Sequence, residues 1–169
     1  MISIQIGEGF VGSGPNAAHV NTVLGDRSGP VGVAWTTALA TPSAGHVPFM
    51  AVAQPGIAVK PMTLFVNKAA IENDMHGKLT WGAAQAGIAA GVSDAILAGH
   101  LNKDAIDDQV LIAAIWINPS AFDEEEVFAN NRQAVFDALT NGAAGKPTID
   151  EFLKAAEDIS NPFFRQGKQ

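Results

Sequence analysis

An imidazole and a carboxamide stand two residues apart, as His19 and Asn21, in the otherwise small and apolar stretch Ala17-Ala18-His19-Val20-Asn21-Thr22-Val23-Leu24-Gly25. The alternation, and the turn-forming cluster Gly25-Asp26-Arg27-Ser28-Gly29-Pro30 at its end, predict a strand. Successive strand side chains point to opposite faces, so His19, Asn21 and Val23 share one face and Val20, Thr22 and Leu24 the other. Histidine and asparagine are poor core fillers, but they suit handling a proton and orienting a polar ligand. The plainer account is a surface or hydrogen-bonded structural histidine, so other residues must support the chemical one.

Two more polar residues fall where the pattern expects apolar ones. Lys68 continues the Leu64, Val66 face of a predicted strand, and Gln85 lies within the arc of Trp81, Ile88 and Val92 on a predicted helix. A buried amide or ammonium without partners costs several kcal/mol, so each must be hydrogen-bonded or line a wet pocket or interface. The bland alternatives are a strand-end lysine with its head in water and a glutamine bonded to a loop carbonyl.

The elements that must position these groups follow from periodicity and turn chemistry. Residues 2–11 alternate as a strand. A helix is expected after Pro30, carrying Val33, Ala34, Thr37 and Ala38 and ending before Pro42. Phe49 to Ala53 reads as a buried strand, Pro55-Gly56 as a turn, and Thr63 to Lys68 as a further strand. Residues 80–98 give the clearest helix, with Trp81, Ala84, Ile88, Val92 and Ile96 near helical spacing and Gly99 as its stop. Asp108 to Ile117 is apolar enough for a central strand. Ser120 is the expected N-cap of the next helix, where Asp123, Glu124, Glu125 and Glu126 favour the positive end of the dipole. That helix is expected to run to about Asn141 and stop at Gly142. A last short helix opens on the capping box beginning at Thr148 and closes at Asn161-Pro162, ahead of a loose tail. The mixture lacks regular strand–helix alternation and predicts an α+β fold, with residues 1–169 as a single domain.

Several tempting motifs fail. Gly7-Glu8-Gly9-Phe10-Val11-Gly12 has dinucleotide-loop spacing, but a turn and a second strand follow where a helix N-terminus is needed. Gly145-Lys146-Pro147-Thr148 lacks the upstream glycine of a phosphate loop and reads as the start of a helix. His46, His76 and His100 show no spacing that sets two metal ligands on one helical face, and no serine sits in a nucleophile-elbow setting.

Composition narrows the classes further. Charged residues are 16% of the 169, against roughly 25% in ordinary soluble domains. Part of the surface is therefore expected to be covered by other subunits. The net charge of −7 without a basic run argues against nucleic acid or an anionic membrane as partners. The absence of cysteine removes disulfides, thiolate metal sites and cysteine nucleophiles. No apolar run reaches the roughly 20 residues of a membrane helix, and the first residues lack a signal-type pattern, so a cytoplasmic chain is expected.

As an ordered set, Gly7-Glu8, Val11-Gly12-Ser13-Gly14, Ala18-His19, Lys60-Pro61-Met62-Thr63-Leu64-Phe65-Val66-Asn67-Lys68 and Ala84-Gln85-Ala86-Gly87 resemble the formaldehyde-activating enzymes. The resemblance runs from residue 7 to about residue 140. It implies a two-layer sandwich like domain 2 of ribosomal protein S5, homopentameric rings, and a pterin cleft between subunits. It also implies condensation of formaldehyde with tetrahydromethanopterin, or a related reduced pterin, to the methylene derivative and water. His19 matches the catalytic histidine, Lys68 and Gln85 match pterin contacts, and Met50 stands where the family has leucine. Asn21 replaces an aspartate and Ala70 a threonine. A carboxylate favours the charged form of a neighbouring histidine and a carboxamide does not. The reaction is redox-neutral and requires neither metal nor hydride carrier. An imidazolium can protonate the leaving oxygen of the carbinolamine, and holding the second amine close makes ring closure intramolecular. A family member that binds a pterin or formaldehyde adduct without turnover is the alternative.

Overall fold

The computed structural model describes residues 4–165. A five-stranded sheet, in the order β1-β2-β7-β6-β3, is built from β1 (Gln5–Val11), β2 (Ala18–Asp26), β3 (Phe49–Met50), β6 (Met62–Asn67) and β7 (Gln109–Trp116). Only β6 and β7 run parallel; the other neighbours are antiparallel. β7 is central, as its apolar run requires. β4 (Val52–Gln54) and β5 (Ile57–Ala58) form a small separate ribbon turned by Pro55-Gly56, where Gly56 takes φ +83. The α+β expectation holds.

Two helices, α3 (Gln85–Leu97) and α4 (Glu124–Ala143), cover one sheet face. Val20, Leu24, Phe65, Leu111 and Ile115 from the strands meet Ile88, Val92, Val135 and Leu139 from the helices there, all buried. Each such side chain contributes about 1.5–3 kcal/mol through removal from water. Gly7 and Gly9 make the close approach possible. A Cβ on Gly7 would lie 1.8 Å from the Ala138 carbonyl oxygen, and one on Gly9 2.1 Å from that of Ala134. The glycines of the false dinucleotide motif are therefore a helix-packing device.

The opposite face is only half covered. α1 (Pro30–Ala40) lays Val31 and Trp35 on Leu64 and Val110, with Val23 and Ile112 alongside, and Trp35 Nε1 donates to the Met62 carbonyl at 3.1 Å. The buried side of α1 is thus Val31 and Trp35; Val33, Ala34 and Thr37 face outward. The other end of this face stays open.

Several expectations are corrected. Residues 2 and 3 of the first predicted strand lie outside the described residues, and β1 begins at Gln5. The expected buried strand at Phe49–Ala53 is split into β3 and β4, with Ala51 buried between them and Met50 41% exposed. The predicted helix at 80–98 starts earlier, as α2 (Asp74–Lys78) capped by Asn73, and passes through a π-helical turn at Leu79–Ala84 before α3. That wider turn breaks the 3.6-residue period on which the stripe rests, and Trp81 is 50% exposed instead of buried. Asp123, not Ser120, caps α4, accepting from the Glu126 N–H at 3.0 Å; Ser120 N instead donates to Asn118 Oδ1. α4 runs through Gly142 to Ala143, and the left-handed glycine is Gly145. The capping box at Thr148 opens α5 (Ile149–Ala155) as expected. That helix ends before Asn161-Pro162; Asn161 instead closes β8 (Ser160–Asn161) and Pro162 opens the turn to β9 (Phe164–Arg165).

Candidate active site

His19, Asn21 and Lys68 are brought to the uncovered end of the sheet by register alone. β2 pairs His19 with Trp116 and Asn21 with Ala114 on β7, and β7 pairs Ala114 with Val66 on β6. On the other side, β1 sets Phe10 opposite His19 and Glu8 opposite Asn21. Residues opposite one another share a face, so Glu8, Phe10, His19, Asn21, Ala114, Trp116 and Lys68 present one polar and aromatic surface.

A cleft of about 510 Å³ opens at His19, walled by Glu8, Phe10, Trp116 and the residues Ser160 to Phe163 of the C-terminal hairpin. The Phe10 ring centroid lies 5.8 Å from that of His19, and Phe163 meets Trp116 edge-on at 5.8 Å. His19 is 38% exposed, so its imidazole reaches solvent while resting on aromatic surface. Its Nε2 lies 3.1 Å from Glu8 Oε1. Glu8 also borders a neighbouring depression of about 400 Å³ with Asn21 and Lys146. A larger cavity, about 780 Å³, lies at the far end of the sheet beside His100 and holds none of these residues.

Glu8, which the sequence did not single out as a site residue, stands in the cleft wall against His19. Its signal is an acidic side chain between two strand glycines, on the outward parity. Asn16 was missed as well. Its side-chain Oδ1 accepts from the Phe122 and Asp123 N–H groups at 3.0 and 3.2 Å, its Nδ2 donates to Glu126, and its carbonyl accepts from Asn130. This buried amide ties the chain just before His19 to the start of α4.

Lys68 is exposed and its Nζ donates to Asn21 Oδ1 at 2.5 Å. Met50 stands opposite Leu64, on the same face but at the β3 edge. Ala70 is exposed and abuts the Gly45 turn, outside the His19 cleft. Gln85, only 7% exposed, belongs to the helical layer. Its Oε1 accepts from Val52 N at 3.2 Å and its Nε2 donates to Val52 O at 3.1 Å. Within one chain the structure joins His19, Asn21 and Lys68 and leaves Gln85 apart, with its amide engaged by β4.

The remaining histidines stand outside this cleft. His76 is fully buried, donating from Nε2 to the Ile117 carbonyl at 3.0 Å and accepting the Glu72 N–H at Nδ1. His46 Nδ1 donates to the Asn67 carbonyl at 2.9 Å. His100 meets Phe136 edge-on. Among the described residues no group of three metal-ligating side chains converges.

The cleft thus sets an imidazole with a carboxylate near one nitrogen beside aromatic walls, on the same sheet face as the bonded Lys68. The family model described as formaldehyde-activating enzyme (Fae) matches residues 6–164. The chain is 37% identical over 163 residues to a 5,6,7,8-tetrahydromethanopterin hydro-lyase of Methanosarcina barkeri, covering 96% of this chain and 92% of that protein. It is 33% identical to a bifunctional enzyme Fae/Hps of Methanothrix thermoacetophila and 37% identical to one of Methanocella arvoryzae, of which it spans 40% and 37%. The chain belongs to the formaldehyde-activating enzyme family.

Proposed function

We propose that this protein is a lyase that condenses formaldehyde with tetrahydromethanopterin to give the 5,10-methylene derivative and water. The observation that carries the reading is His19, half-exposed in an aromatic-walled cleft with a carboxylate at Nε2, in a chain matched by the family model over nearly its whole length.

The chemistry follows from the residues. Formaldehyde is electrophilic enough to take up the first amine unaided, giving a carbinolamine. His19, protonated, donates to the hydroxyl as the carbon–oxygen bond breaks, and water leaves with the electron pair. The second amine then attacks the same carbon and its proton returns to the imidazole, so the cycle consumes no proton. Phe10, Trp116 and Phe163 offer apolar faces to a planar ring, and Lys68 can hold a carbonyl or anionic substituent. A positioned acid of this type contributes roughly 10²–10⁴-fold.

The assembly is part of the proposal. An S5 domain 2-like sandwich in a five-membered ring would let a neighbour's edge meet the open sheet face. The exposed apolar Val47, Met50 and Ile57 around the β3–β5 edge support such a contact. Met50, Ala70 and Gln85 would then approach the pterin from the adjoining subunit. A cytoplasmic setting in one-carbon metabolism or formaldehyde detoxification fits this reading, and no helix among the described residues is long and apolar enough to cross a membrane.

The test is the initial rate of methylene-pterin formation above the spontaneous rate, in wild type and His19→Ala. Acceleration that disappears in the variant supports the lyase. Saturable pterin binding with no acceleration in wild type would replace it with a carrier.

A further inference from the structure

The carboxylate nearest His19 comes from β1 and lies beside one of the two ring nitrogens. Glu8 Oε1 lies 3.1 Å from Nε2, within ion-pair distance, and no other charged group stands as near to either ring nitrogen among the described residues. The other charged groups bordering this surface are engaged elsewhere: Lys68 donates to Asn21, and Lys146 pairs with Glu151 at 3.1 Å. The strand carrying Glu8 cannot shift toward α4, because Gly7 and Gly9 on either side are already in backbone contact with Ala138 and Ala134.

We propose that Glu8 is the positioning residue of the site: it holds the Nε2–H of His19, which makes Nδ1 the nitrogen that protonates the leaving oxygen and later regains the proton. This rests on the lyase reading and deepens it. In the step, the Nδ1–H bond breaks as an O–H bond forms on the carbinolamine, and the carbon–oxygen pair departs with water. The proton released from the second amine on ring closure restores Nδ1–H. Glu8 gives up and takes up no proton in this cycle; it orients the ring.

The role differs from what Asn21 alone indicates. A neutral side chain two residues beyond the histidine leaves no acidic partner on β2, yet the antiparallel neighbour supplies one diagonally.

The test uses full-length protein labelled with ¹⁵N in histidine, observed above the titration range of His19, together with rate measurements on Glu8→Ala and Glu8→Gln. The expected result is a His19 ring wholly in the Nε2–H tautomer in wild type and a mixture in Glu8→Ala. With it, kcat should fall roughly tenfold or more, up to the roughly 10²–10⁴-fold that a positioned acid supplies, at unchanged pterin affinity. Glu8→Gln, which keeps an acceptor without charge, should retain the tautomer and recover only part of the rate. The same tautomer mixture in wild type and Glu8→Ala, or a Glu8→Ala rate equal to wild type, would overturn the proposal. A wild type without acceleration would instead overturn the lyase reading, leaving the tautomer comparison to decide on Glu8.

Discussion

Asn21 and Lys68 meet above a strand to which neither belongs. Asn21 projects from β2 and Lys68 follows β6, and their head groups come within 2.5 Å over β7, where the intervening residue on that face is Ala114. A methyl group there leaves room for the lysine to reach across. The pairing gives the ammonium a carbonyl oxygen in place of an opposite charge, and it keeps Asn21 from serving His19. Two polar contacts on one sheet surface are therefore divided: lysine with asparagine, histidine with glutamate.

Asn21→Asp should consequently alter turnover little. The new carboxylate would pair with Lys68 but stand directly opposite Glu8, and like charges so placed repel. A change in kcat of no more than roughly fivefold is expected, the size of a cross-strand pair term. Steady-state kinetics beside Glu8→Ala check it, and a gain of two orders of magnitude would show that Asn21, not Glu8, sets the acid.

Gly7→Ala and Gly9→Ala should each destabilise the fold by about 1–3 kcal/mol or more, the range for overpacking. Their Cβ atoms would fall on carbonyl oxygens of α4. Thermal or urea unfolding reads the loss. Gly14→Ala, whose Cβ meets nothing within 4 Å, is the contrast for space alone, since its φ of +65 adds its own strain.

Gln85→Ala should lower stability by about 1–3 kcal/mol, because it strands the Val52 N–H and carbonyl at a largely buried position. If Gln85 served only a ligand, pterin affinity would drop with the melting temperature unmoved. Measuring both on the same variant separates the roles.

Asp94 accepts a forked pair of bonds from Arg132, at 2.6 and 3.0 Å, and so joins α3 to α4. Hydrogen bonding to Arg132, reinforced by its charge, holds the Asp94 carboxyl below its ordinary range. A depressed carboxylate stabilises the fold at pH above its unfolded value and ceases to do so as pH falls through the folded one. Asp94→Asn should therefore melt below wild type at neutral pH, with the gap closing in strong acid. High salt should narrow it too, the pair being partly exposed.

What could be read from the sequence was whatever depended on local alternation and turns. The His19 strand, the central Gln109–Trp116 strand and the Thr148 capping box all express themselves in contiguous residues. Trp81 could not be placed, because one π-helical turn changes the period without changing the composition. Ser120 offered a better-looking cap than Asp123, yet Asn118 engages its N–H. Pairing register was also hidden: nothing near Glu8 announces that Asn21 lies opposite and His19 within reach. Gln85 is legible as a polar residue needing partners, but not that those partners are backbone groups 33 residues away.

The glycine contacts between β1 and α4 carry a consequence for how such a protein can evolve. The strand bearing Glu8 rests against a helix with no side chain as cushion, so its height above the sheet follows from residues such as Ala134 and Ala138 on the far side. Enlarging or repacking that helix would tilt a carboxylate toward or away from its imidazole. Where that carboxylate positions the ring, its adjustment is open to mutations that never touch the ligand.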